Sequence, residues 1–120
     1  MKLQIILVVA VLLFGLLTFA ACDRYFCESK VIIENRSGKD LTEITLASQS
    51  ASGLIQYPTV GLLRNGQLRQ ITLRGMRGEG SLILHYKIDG QRHDWNGWYI
   101  EPRGYKMNAI IQSDGTLQPF

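Results

Sequence analysis

The feature that most constrains this chain is an unbroken apolar run close to its start. Ile5 to Leu17 holds 13 consecutive residues without a charge, preceded by Lys2 and followed by Ala20, Ala21 and Cys22. A positive start, an apolar stretch of about 7–15 residues and small residues at its end form the pattern of a secretory leader. Residues after position 21 number 99, enough for one domain and too few for two. The overall apolar content of 46% therefore overstates that domain, because the leader is almost wholly apolar.

Three fates of the leader stay open. In the first, Phe19-Ala20-Ala21-Cys22 resembles the lipobox of bacterial lipoproteins, in which two small residues precede a cysteine that is lipidated and becomes the new N-terminus. Phe19 stands where that pattern favours Leu. The resemblance implies a diacylglycerol on Cys22 and a further acyl chain on the new amine, and more than one chain gives stable anchoring. It also implies that Asp23 becomes the second mature residue, which in enteric-type lipoproteins resembles the signal for inner-membrane retention. Cys27 would then be an odd thiol. In the second, ordinary secretion cleaves after Ala20, guided by Thr18 and Ala20, and Cys22 and Cys27 close a short disulfide loop in an oxidising compartment. In the third, Leu3 to Ala21 stays as an uncleaved anchor whose 19 residues just span a bilayer. All three place the domain outside the cytoplasm, in the cell envelope and facing the periplasm.

Charge excludes one large class of partner. Beyond the leader stand eight Arg and four Lys against ten Asp and Glu, an ordinary surface balance rather than the basic stripe of a nucleic-acid binder. The expected partners are a membrane, reached through the N-terminus, and another protein.

From residue 30 onward, short apolar alternations are separated by turn signals. Lys30 to Arg36 and Leu41 to Leu46, joined by Ser37-Gly38-Lys39-Asp40, predict a first hairpin with Thr42, Ile44 and Leu46 on one face. Ala47 to Pro58, rich in Ser, Gly and Gln, is expected to be a loop. Asn65-Gly66 predicts a tight hairpin between Thr59–Leu63 and Leu68–Arg74. Ser81 to Ile88 is the clearest strand, with Leu82, Leu84, Tyr86 and Ile88 on one face. Asp89-Gly90 turns it into Arg92–Ile100, and Tyr105–Gln112 follows a corner at Glu101–Gly104. No helical period appears beyond the leader. Strands at roughly ten-residue spacing predict an all-β domain, a small antiparallel β-sandwich of immunoglobulin-like architecture or a small barrel. The expected organisation is residues 1–21 as signal peptide or anchor, 22–29 as tether and 30–120 as the domain.

Little in the sequence carries chemistry. The two histidines, His85 and His93, lack nearby ligands for a metal, and His93-Asp94 adjacency puts those side chains on opposite faces of a strand. No nucleophile elbow is present, and Gly75 to Gly80 lacks the Lys-Ser/Thr ending of a phosphate-binding loop. No catalytic residue, metal or cofactor is expected. The suggestive feature is the run Trp95, Trp98 and Tyr99, with Arg92, Arg103 and Tyr105 nearby, because Trp, Tyr and Arg dominate binding hot spots. In a regular strand Trp95 would share a face with Tyr99 and Trp98 with Ile100, and a bulge at Gly97 alters this. A binding or inhibitory module, such as an immunity-type lipoprotein, is the first expectation. An accessory subunit of an envelope complex is the alternative, and a periplasmic hydrolase a distant third.

Overall fold

A computed structural model describes residues 2–21, 27–59 and 61–119. Lys2–Ala21 is a helix, α1. Its side chains are described only in part, none of them beyond Leu12, and among the described residues no helix is long and apolar enough to cross a membrane. Among the described residues every element after it is a strand. The strands are β1 (Lys30–Asn35), β2 (Leu41–Ser50), β3 (Gly53–Tyr57), β4 (Leu62–Leu63), β5 (Leu68–Thr72), β6 (Gly80–Ile88), β7 (Gln91–Ile100), β8 (Lys106–Ile111) and β9 (Leu117–Pro119).

They form two packed sheets, one ordered β5-β1-β8-β9 and the other β3-β2-β6-β7 with β4 added beside β2. The all-β sandwich expected from the alternation is what the chain adopts, and the sheets do not close into a barrel. Alternation explains why: Val31 and Ile33 on β1, Leu46 on β2, Leu82, Leu84 and Tyr86 on β6, and Met107, Ala109 and Ile111 on β8 are all buried in a single core between the sheets. One pairing departs from the antiparallel expectation. β1 and β8 run parallel, Lys30 opposite Lys106 through Asn35 opposite Ile111.

Four local expectations are corrected. β1 and β2 are not a hairpin; they lie in different sheets, so that both apolar faces enter the core from opposite sides. Asn35 makes the crossing possible. It is fully buried, and its amide donates to the carbonyls of Lys39 and Leu63 while its oxygen accepts from the backbone and hydroxyl of Ser37. Within β2 a register shift at Glu43, whose φ is 49°, sets Leu41 rather than Thr42 on the core side with Ile44.

Residues 47–58 are not a loop. β2 continues to Ser50 and turns at Ala51-Ser52 into β3. The polar composition hides this, because Ser48 faces inward and meets the Tyr57 hydroxyl at 2.6 Å, so neither buried oxygen lacks a partner. Asn65-Gly66 is not a hairpin turn either. Gly66 has the positive φ expected, 84°, but the segment carries the chain from β4 in one sheet to β5 in the other.

Contacts of the domain begin ahead of β1. Gly104 N–H donates to the Cys27 carbonyl at 3.0 Å, the backbones of Glu28 and Arg103 form an isolated antiparallel β-bridge, and the buried Ser29 hydroxyl donates to the Glu101 carbonyl while accepting from Tyr105 N–H. Residues 27–29 therefore lie beside the corner between β7 and β8.

Candidate functional site

All six residues expected to form a contact surface lie on β7 or in the corner after it, and β7 is an edge strand. Gly97 determines which way each points. Leu82 pairs with Trp98 but Ile83 pairs with Asn96, so Gly97 is the extra residue of a bulge, with a φ of 101° that favours glycine. One inserted residue reverses the alternation beyond it. Trp95 and Trp98 consequently share the inner face, opposite the buried Leu84 and Leu82, with ring centroids 6.1 Å apart. Both are half-buried and pack on the core.

Tyr99 therefore points outward, away from both tryptophans. It is 48% exposed, and its ring meets Tyr105 edge-on at 6.1 Å between centroids. Its hydroxyl lies 2.7 Å from Glu79 Oε2 and 2.8 Å from Glu101 Oε1. One phenol proton serves two carboxylates in turn, and losing it would place a third negative charge between them; the Tyr99 pKa is raised accordingly. Arg103 sits in the same corner, its backbone opposite that of Glu28 in an isolated antiparallel β-bridge. Tyr99 and Glu79 also wall an open cleft of about 450 Å³, lined in part by Gly80 and Gly97.

Arg92 is separate from this group. Seven residues of strand put it roughly 20 Å from Tyr99. There it forms a second cluster on the outer face of the same sheet. Arg92 Nε donates to Asp94 Oδ1 at 2.7 Å, and the same oxygen accepts from His85 Nδ1 across the β6–β7 ladder. Glu43 and Lys87 pair beside them at 2.7 Å. The Arg92 guanidinium, then His85, holds the Asp94 carboxyl below the usual carboxylate range. A small cavity of about 170 Å³ lies among Glu43, Thr45, His85, Lys87 and Arg92.

The candidate set thus divides in three: Arg92 in an ionic cluster, Trp95 and Trp98 half-sunk in the sandwich, and Tyr99, Tyr105 and Arg103 around the corner beside residues 27–29. The His85–Asp94 pair was missed because adjacency along the chain excluded a partner for His93 while His85 found Asp94 across the ladder. Only the register of β6 with β7 reveals it. His93 instead stacks on Tyr86, centroids 5.3 Å apart with planes 6° from parallel, under the β8–β9 turn.

Among the described residues no group of three or more His, Cys, Asp or Glu is placed to hold a metal ion. Cys22, the residue the lipobox resemblance singles out, lies outside the described residues. Cys27 is disulfide-bonded, and Cys22 is the only other cysteine of the sequence. No family model matches this chain, and neither does any curated protein or solved structure.

Proposed function

We propose that the chain is exported, held at a membrane of the cell envelope through its N-terminus, and presents its sandwich as a non-catalytic binding module of the immunity or inhibitor type. The observation that carries this reading is the outer side of β7. A ten-residue edge strand offers unpaired backbone groups along its length, with the exposed Tyr99–Tyr105 pair at one end and the Arg92 cluster at the other. Edges of this kind dock extended segments through main-chain hydrogen bonds, with side chains adding selectivity. A tether raises the effective concentration of such a module wherever its partner arrives.

The disulfide at Cys27 supports an oxidising compartment. It also sharpens the anchor question. A Cys22 sulfur bearing a diacylglycerol thioether has both its bonds to carbon and no thiol left to oxidise, so lipidation of Cys22 and a Cys22–Cys27 bond exclude each other. Intact mass of the protein from envelope fractions distinguishes the outcomes: lipidation adds a diacylglycerol to a chain starting at Cys22, and the disulfide removes two hydrogens. A full-length chain with Met1 in a soluble cytosolic fraction overturns export altogether.

Capture tests the module itself. A bound envelope protein should be lost with Tyr99→Ala or Arg92→Ala, both exposed positions, and retention by both variants overturns binding through this strand. One observation favours the alternative, an accessory subunit of an envelope complex: Ile32, Leu68 and Ile110 surround Glu34 in a mixed patch on the outer face of the smaller sheet, with Leu68 61% exposed. A large assembly in native-size separation of detergent extracts, intact in the Tyr99→Ala variant and dissolved by Leu68→Glu, would favour that reading.

A further inference from the structure

We infer that the end of the sandwich where the leader segment enters is a membrane-facing surface that rests on anionic phospholipid headgroups. The inference builds on the proposal that the N-terminus is held in a bilayer.

Two independent observations carry it. The first is reach. Cys27 is hydrogen-bonded to Gly104, so only residues 22–26 separate the leader from the folded domain. Five residues span at most about 20 Å even when fully extended. A leader embedded in a bilayer, or a lipid on Cys22, thus keeps this end within one short leash of the headgroups, and the opposite end of the sandwich points away.

The second is charge. Lys30 and Lys106 lie opposite each other where β1 and β8 begin, Arg74 follows β5 beside Glu28, and the carbonyl of Arg77 accepts from Ser52 at the β2–β3 turn. With Arg103 they make five cations among the described residues of this end, against three carboxylates. Of those carboxylates Glu28 pairs with Arg74, while Glu79 and Glu101 accept from the Tyr99 hydroxyl. At the far end the described cations do not outnumber the acids, and three are paired outright, Lys39–Asp89, Lys87–Glu43 and Arg92–Asp94. Positive charge in excess at one end only, beside two exposed tyrosines, is the composition of a surface that meets anionic headgroups. Lys and Arg are drawn to the surface potential, and Tyr rings settle at headgroup level.

Lysines at both ends provide the test. The full chain is reconstituted with vesicles of phosphatidylcholine, with and without phosphatidylglycerol, and amine labelling is followed residue by residue by mass spectrometry. Lys30 and Lys106 should label several-fold more slowly when phosphatidylglycerol is present, while Lys39 and Lys87 keep their rates. Arg74→Glu with Arg77→Glu should abolish that protection without changing flotation. Equal labelling in both vesicles, or protection of all four lysines alike, overturns the inference while leaving the anchor intact. A chain that floats with neither vesicle overturns the anchor itself.

Discussion

Asn35 donates its side-chain amide to the carbonyl of Leu63 at 2.9 Å, joining β1 of one sheet to β4 of the other across 28 residues of chain. The same side chain also satisfies the Lys39 carbonyl and the Ser37 backbone N–H. Asn35→Ala leaves several buried polar groups without partners and should cost about 3 kcal/mol in urea unfolding. Asn35→Asp, which keeps the acceptor but loses both donors and buries a charge, should be no better. A loss below about 0.5 kcal/mol for Asn35→Ala would show that water replaces the amide.

Gly97 is both the extra residue and the strained one. Gly97→Val should destabilise by about 1–3 kcal/mol, because a β-branched residue is forced into positive φ. Deleting Gly97 should be milder, since Trp95, Asn96 and Trp98 then alternate in the register that the bulge already imposes. Thermal midpoints of the two variants decide, and the reverse order would refute the bulge.

Trp98 and Tyr99 are neighbours with opposite duties. Trp98→Ala removes a half-buried indole packed on the core and should lower stability by about 2 kcal/mol. Tyr99→Ala should leave stability nearly unchanged, since its bonds to Glu79 and Glu101 are exposed. Loss of partner capture by Tyr99→Ala with an unchanged melting curve would assign the outward ring to binding.

Stability should fall at both extremes of pH, for opposite reasons. Asp94 titrates below its ordinary value in the folded protein, so the unfolded chain binds its proton first as pH drops. Its contribution is present above the ordinary carboxylate range and lost as pH falls through the folded value; Arg92→Ala should flatten that acid limb. Tyr86 behaves inversely. Burial, then the charge of Asp114, pushes its phenol up to about 12, so its share is complete below pH 10 and lost between roughly 10 and 12. Tyr86→Phe should weaken the fold at neutral pH, by losing the bond to the Gly115 carbonyl, and flatten the alkaline limb. Denaturant midpoints across pH check both.

The sandwich was legible because β6 and β8 alternate cleanly: Leu82, Leu84 and Tyr86 go inward while Ile83, His85 and Lys87 do not. Pairing was not legible. Ser37-Gly38-Lys39-Asp40 and Asn65-Gly66 are good turn sequences, yet each carries the chain between sheets, and local propensity says nothing about which strand comes next. The β2–β3 hairpin was hidden by Ser48, Gln49, Ser50 and Ser52, and the inward Ser48 is tolerated because its hydroxyl meets that of Tyr57. At the candidate site, composition found the right strand but not its faces. A single glycine decides whether Trp98 or Tyr99 looks outward, and only the ladder with β6 shows which.

The parallel partnership of β1 with β8 has a consequence for how the molecule is made. Tyr105 N–H reaches Ser29 at a separation of 76 residues, so the smaller sheet has no second strand beside β1 on that side until most of the chain exists. Closing so long a loop before its contacts form is slow. For a polypeptide threaded head-first through a translocation channel, this order delays compaction until the tail has nearly cleared the pore, and the finished sandwich assembles only on the far side.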